Sequence, residues 1–176
     1  MTPAEGPLPI VDVVIDDPRW YETDLADRAH EAVGLALSFA GIATREVEVA
    51  VLASSDAHVS SLNAQFRGKS GATNVLSWPA LDLFPEAPGA PPGTEVPGDP
   101  HGATSLGDIA LAYETVAAEA TAVQIPLNAH ISHLILHACL HLLGYDHQTE
   151  ADARRMEDLE VQALASIGIA SPYRDH

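Results

Sequence analysis

A chain of 176 residues with 47% hydrophobic content has room for one well-buried core but not for two comfortable domains, so a single domain over 1–176 is expected. The formal net charge of −17 excludes the broad basic surface on which proteins usually gather nucleic acid. A lone cysteine, Cys139, allows no internal disulfide and points to a reducing, cytoplasmic setting, and the longest apolar stretch, Ile131 to Leu143, is too short and too interrupted by histidine to span a bilayer.

In chain order, Ile10 to Ile15 is rich in β-branched residues and reads as a strand. Leu25, Ala29, Val33, Ala36, Leu37 and Ala40 then recur at helical spacing, with Gly41 as the stop. Glu46 to Val51 alternates with period two and reads as a second strand. Asp56 is expected to cap a second helix carrying Val59, Leu62 and Phe66. Thr73 to Trp78 and Leu106 to Leu111 are two further short strands. Between them, a segment crowded with proline, glycine and acidic residues lacks the apolar side chains that would offset its ordering entropy, so a flexible loop at 85–104 is expected.

Tyr113 to Val123, rich in alanine and glutamate, predicts a third helix. Pro126 suits the first turn of a fourth, running to Leu143 and apolar on nearly all sides, as befits a helix buried in the core. A fifth is expected from about Glu150 to Ser166, with Met156, Leu159, Val161 and Leu164 as its apolar positions. About four strands and about five helices, mixed rather than strictly alternating, place the chain in the α+β class.

The chemistry concentrates at the end of the fourth helix, where His137, His141 and His147 follow one another with Gly144 between the last two. Histidine is the commonest neutral metal ligand, and two of them four residues apart project from one helix face. Gly144 ends the helix and lets the chain turn back to bring His147 round as a third ligand. Three protein ligands leave a coordination position open, the mark of a catalytic zinc-type site. Cys139 falls on another face and reads as core.

The spacing equals that of the metzincin peptidases, but there a glutamate follows the first histidine as general base and here Ala138 stands in that place. His133 lies on the same helical stripe as His130 and fits either a role behind the ligands or core packing. Asp146 fits equally the orienting of His147 or a water and the capping of the turn. His101 lies in the proline-rich loop with no evident role. Arg67 and Lys69 are the sole basic residues other than histidine between Glu46 and Ala153, and Lys69 is the only lysine. The pair is either an accident of the surface or a local contact for an anion.

The run from His137 to His147 resembles the signature of the YbeY family of bacterial endoribonucleases. Leu62-Asn63-Ala64-Gln65-Phe66-Arg67-Gly68-Lys69, Thr73-Asn74-Val75-Leu76-Ser77-Trp78-Pro79, Leu106-Gly107-Asp108-Ile109 and Met156-Glu157-Asp158-Leu159-Glu160 resemble it in the same order. Ala138 where the family has glycine, Trp78 where it has phenylalanine, and the long proline-rich loop are departures; none removes a ligand.

The resemblance implies one zinc-type ion on the three histidines and a metal-dependent single-strand endoribonuclease acting in small-subunit ribosomal RNA maturation and ribosome quality control. It maps the family's active-site arginine onto Arg67, with Lys69 helping to position the RNA. A ribosomal protein or assembly factor is expected to deliver the RNA to so acidic a chain. Two rivals stand beside this reading, a metal-dependent hydrolase of another substrate class and a non-catalytic, metal-stabilised ribosome assembly factor.

Overall fold

The structure, a computed structural model, describes residues 9–42, 46–68 and 73–173. Its elements are β1 (Ile10–Ile15), a 3-10 helix (Pro18–Glu22), α1 (Leu25–Phe39), β2 (Val47–Ser54), α2 (Asp56–Arg67), β3 (Val75–Pro79), β4 (Thr104–Ala112), α3 (Tyr113–Ala122), α4 (Leu127–Leu142) and α5 (Glu150–Ser166). The four strands form one sheet in the order β1-β2-β4-β3. β1, β2 and β4 run parallel, and β3 is antiparallel to β4. The mixed sheet and five α-helices make the fold α+β.

The period-two pattern of β2 decides which way the sheet faces. Val47, Val49 and Val51 point into the main core, where α1 lays down Leu25, Ala29, Val33 and Leu37. Gly41, at φ +73°, reverses the chain after α1 so that the Ile42 N–H reaches the Leu37 carbonyl. α4 runs through this core, burying Ile131, Ile135, Cys139 and Leu142. The opposite sheet face carries a smaller cluster, Val59 of α2 on Leu76, Ala110 and Ala112.

Several expectations change in detail. Ser55, not Asp56, caps α2, its Oγ accepting the His58 N–H. The Asp56 carboxylate instead accepts the backbone and hydroxyl protons of Thr115 and ties α2 to α3. Phe66 is exposed rather than core, packed edge-on against Trp78. Pro126 is the residue before α4 rather than its first member; its extended backbone suits that place as well. In α5 the buried positions are Met156, Glu160, Ala163 and Leu164, so Leu159 and Val161 lie at the margin and a glutamate takes a core place.

The proline-rich segment holds no helix or strand, and β4 begins at Thr104. It is tied down by Arg155, which donates to the Gly89 carbonyl at 2.8 Å, by Thr104, which donates to the Pro97 carbonyl at 2.7 Å, and by buried Val96. Gly107, at φ +135°, is where the chain leaving β3 crosses β4: a Cβ there would run into the Trp78 carbonyl and come within 2.9 Å of Leu142 on α4. That close approach seats the end of β3 beside the end of the histidine-bearing helix. Among the described residues, no helix is long and apolar enough to cross a membrane.

Candidate metal centre

His137 and His141 lie one turn apart on the face of α4 that turns away from the core. α4 ends at Leu142, and Gly144, at φ +99°, folds the chain back until the Tyr145 N–H reaches the Leu140 carbonyl. This turn carries His147 to the two helical rings: its centroid lies 5.2 Å from that of His141 and 6.0 Å from that of His137. One ligand nitrogen from each of the three falls within 4.8 Å of the others.

The ring hydrogen bonds fix which nitrogens face the centre. The His141 Nδ1–H donates to the Tyr145 carbonyl at 2.9 Å, and the His137 Nδ1–H donates to a carboxylate oxygen of Glu160. Both Nε2 atoms are then bare acceptors, and they face each other at 3.1 Å. Two lone pairs repel at that distance unless a cation joins them. Tetrahedral zinc bonds of about 2.0–2.1 Å set neighbouring ligand atoms roughly 3.3 Å apart, so the donor set fits a divalent ion of zinc type.

Burial, reinforced by the neighbouring imidazole of His137, lowers the His141 pKa to about 4, so the ring stays neutral and able to ligate well into the acid range. Cys139 is fully buried, which pushes its thiol up to about 12; it is a core residue, as expected, and no ligand.

Glu160 is the residue that sequence reasoning missed as a participant. It is 0% exposed, and besides His137 it accepts the phenol proton of Tyr173, while His133 Nε2 stands 3.8 Å from its other oxygen. Burial alone would raise its pKa, but the imidazoles of His133 and His137 and the Tyr173 hydroxyl outweigh that and hold it at about 2. The usable signal was position: 160 falls on the buried stripe of α5 with Met156 and Ala163, where a carboxylate is out of place unless something pairs with it.

These shifts predict acid sensitivity of the metal-free protein. His141 is lowered from 6.5, so the unfolded chain takes up the proton first, and stability falls as pH drops from 6.5 toward 4. The depressed Glu160 contributes stability present above its ordinary 4.5 and lost as pH falls toward 2. Both act in one direction. The urea midpoint of metal-free protein is expected to fall steadily between pH 7 and pH 4; a flat profile would mean that these groups are not perturbed.

The three histidines open onto a cavity of about 680 Å³ that Arg67, Asn74 and Ser77 also line. Arg67 ends α2 just before Gly68 and donates through Nη2 to the Ser77 carbonyl on β3, which lays the guanidinium along the cavity wall. Lys69 lies outside the described residues. Asp146 lines the cavity, and its Oδ1 accepts the backbone N–H of the next residue, His147, at 2.8 Å. His133 lies behind His137 beside Glu160. His101 is exposed and absent from the cavity wall, and His130 bonds Glu119 at 3.0 Å away from the ligands.

A family model described as Endoribonuclease YbeY matches residues 15–168. The chain belongs to the YbeY endoribonuclease family. Curated relatives bearing that name include proteins of Dinoroseobacter shibae, 47% identical over 93% of this chain and 90% of the relative, and of Jannaschia sp., 46% identical over 93% and 99%. One of Paracoccus denitrificans is 45% identical over 99% of this chain and 95% of its own. A Thermotoga maritima protein solved in solution has the same fold at 16% identity, with a TM-score of 0.53 over 90% of this chain and 91% of that one. The resemblance carried by the histidine run is thus a true YbeY relationship that spans the whole sheet, the cavity and α5.

Proposed function

We propose that this YbeY chain is a zinc-dependent endoribonuclease that cuts single-stranded RNA in small-subunit ribosomal RNA maturation and ribosome quality control. The observation that carries the reading is that Arg67 and the three histidines line one cavity. A phosphodiester needs both, a cationic fork for its non-bridging oxygens and a source of activated water.

The residues divide the work as follows. His137, His141 and His147 would hold the ion as neutral donors, the first two through Nε2, with Glu160 and the Tyr145 carbonyl keeping the protons on Nδ1. When bound, a zinc-type ion lowers the pKa of a coordinated water or polarises a phosphoryl oxygen. Arg67, braced on the Ser77 carbonyl, grips the scissile phosphate and offsets charge that develops on it. Asp146 holds the turn through the His147 N–H, and Lys69 would add a contact to the RNA backbone.

Peptide hydrolysis is not supported, because Ala138 replaces the glutamate base and Glu160 lies behind His137, buried and occupied by two donors. A chain of net charge −17 does not gather RNA by broad electrostatic attraction, so in this reading a cytoplasmic ribosomal protein or assembly factor presents it. Arg67→Ala is the variant that tests the nuclease reading. It is expected to lower kcat on single-stranded RNA by roughly 10²–10³, as loss of one transition-state donor does elsewhere, with zinc content unchanged. Unaltered cleavage by that variant would remove the arginine from the reaction.

A further inference from the structure

Three neutral imidazoles around a divalent cation leave its double charge uncompensated, and the one fully buried carboxylate among the described residues, Glu160, stands directly behind His137. Taking a carboxylate out of water costs several kcal/mol unless the groups around it answer its charge. Met156, Ala163 and Leu164 show what this stripe of α5 otherwise carries. Packing therefore does not account for Glu160.

Glu160 is in turn held from outside the helix. Ser171 Oγ accepts the Tyr173 N–H at 3.1 Å and itself donates to the Tyr173 carbonyl at 3.1 Å, a small turn that folds the chain after α5 back over α4. This brings the Tyr173 hydroxyl onto Glu160 and sets its ring edge-on to His133, with centroids 6.0 Å apart. Tyr173 also lines the cavity that holds the three histidines.

We propose that Glu160 and Tyr173 are positioning residues for the metal centre, the buried carboxylate fixing the His137 tautomer, ring plane and donor strength, and the tyrosine holding that carboxylate in place. The inference rests on the three histidines being the metal's ligands. Tyr173 acts on His137 through Glu160. Removing the hydroxyl lets the carboxylate turn, and replacing the carboxylate by an amide removes the charged acceptor through which the hydroxyl acts on His137. Outer partners of metal-bound histidine elsewhere are worth roughly 10- to 100-fold in metal affinity.

The test is zinc affinity measured by chelator competition on wild type, Glu160→Gln, Tyr173→Phe and the double variant, with the visible spectrum of the cobalt-loaded proteins as a second readout. Glu160→Gln is expected to weaken zinc about 10- to 100-fold and to shift the cobalt bands. Tyr173→Phe, which removes one oxygen and spares the fold, is expected to weaken it several-fold. In the double variant, tyrosine loss is expected to add nothing to the glutamine effect. Wild-type affinity in Tyr173→Phe, or additive effects in the double variant, would overturn the proposal. Failure of the wild type itself to take up zinc would instead overturn the assignment of the ligands. Should Glu160→Gln not fold, Tyr173→Phe against Glu160→Asp makes the same comparison.

Discussion

Replacing His141 with alanine is expected to abolish stoichiometric zinc uptake while leaving the fold intact. His141 is one of two ligands whose Nε2 atoms meet at 3.1 Å, and without it the remaining pair would have to span the wider gap from α4 to the turn. The loss should exceed the roughly 10- to 100-fold that follows from disturbing an outer partner. A second consequence is less intuitive. In the metal-free protein, alanine removes one of two facing lone pairs and a half-buried imidazole whose pKa is held at about 4, so the metal-free variant is expected to be less acid-sensitive than wild type. Melting curves at pH 7 and pH 5, with and without zinc, check both points: the zinc-dependent rise in Tm disappears, and the acid-induced drop shrinks. A His141→Ala protein that still binds one equivalent of zinc would show that the ligands lie elsewhere.

Gly144→Ala is expected to be among the most damaging single-methyl changes in the chain. The backbone there has φ +99°, and a Cβ would land on the Leu83 carbonyl and come within 3.0 Å of the Phe84 nitrogen. Adverse backbone conformation costs about 1–2 kcal/mol and forcing apart packed backbone about 1–3 more, so a destabilisation of about 2–5 kcal/mol is expected in urea titrations. The effect reaches function because the same turn carries Tyr145, whose carbonyl holds His141, and His147. Zinc affinity should fall together with stability. A variant as stable as wild type would mean that the segment after β3 does not rest on this turn.

Much of this was legible in the residues, for local reasons. α1 and β2 announce themselves because their apolar periods match the faces they bury, β1 because it is rich in β-branched residues, and α4 because it is apolar nearly all round. The 3-10 helix Pro18–Glu22 escaped because five residues are too few to show a period. Trp20 within it is fully buried only because its indole N–H finds the Ser54 carbonyl, 34 residues away in sequence, and its ring meets Tyr113 edge-on.

Ser55 and Asp56 are both good caps, and the choice between them was made by Thr115, which claims the aspartate. At the candidate centre the three histidines were readable from helix geometry, and Ala138 argued against a peptidase. Glu160 was not recognised, since its role depends on how α5 lies against α4 and on where the tail places Tyr173. Periodicity reveals which residues share a face; it does not reveal what the face meets.

The most direct measurement is cleavage of a single-stranded ribosomal RNA fragment by one preparation of wild-type protein in two states, stripped by chelator and reloaded with zinc, beside His141→Ala treated identically. Cleavage that vanishes on stripping, returns with zinc, and stays absent in His141→Ala is the expected result. Cleavage by stripped wild type and by His141→Ala at the rate of the zinc-loaded wild type would contradict the assignment of the reaction to this centre.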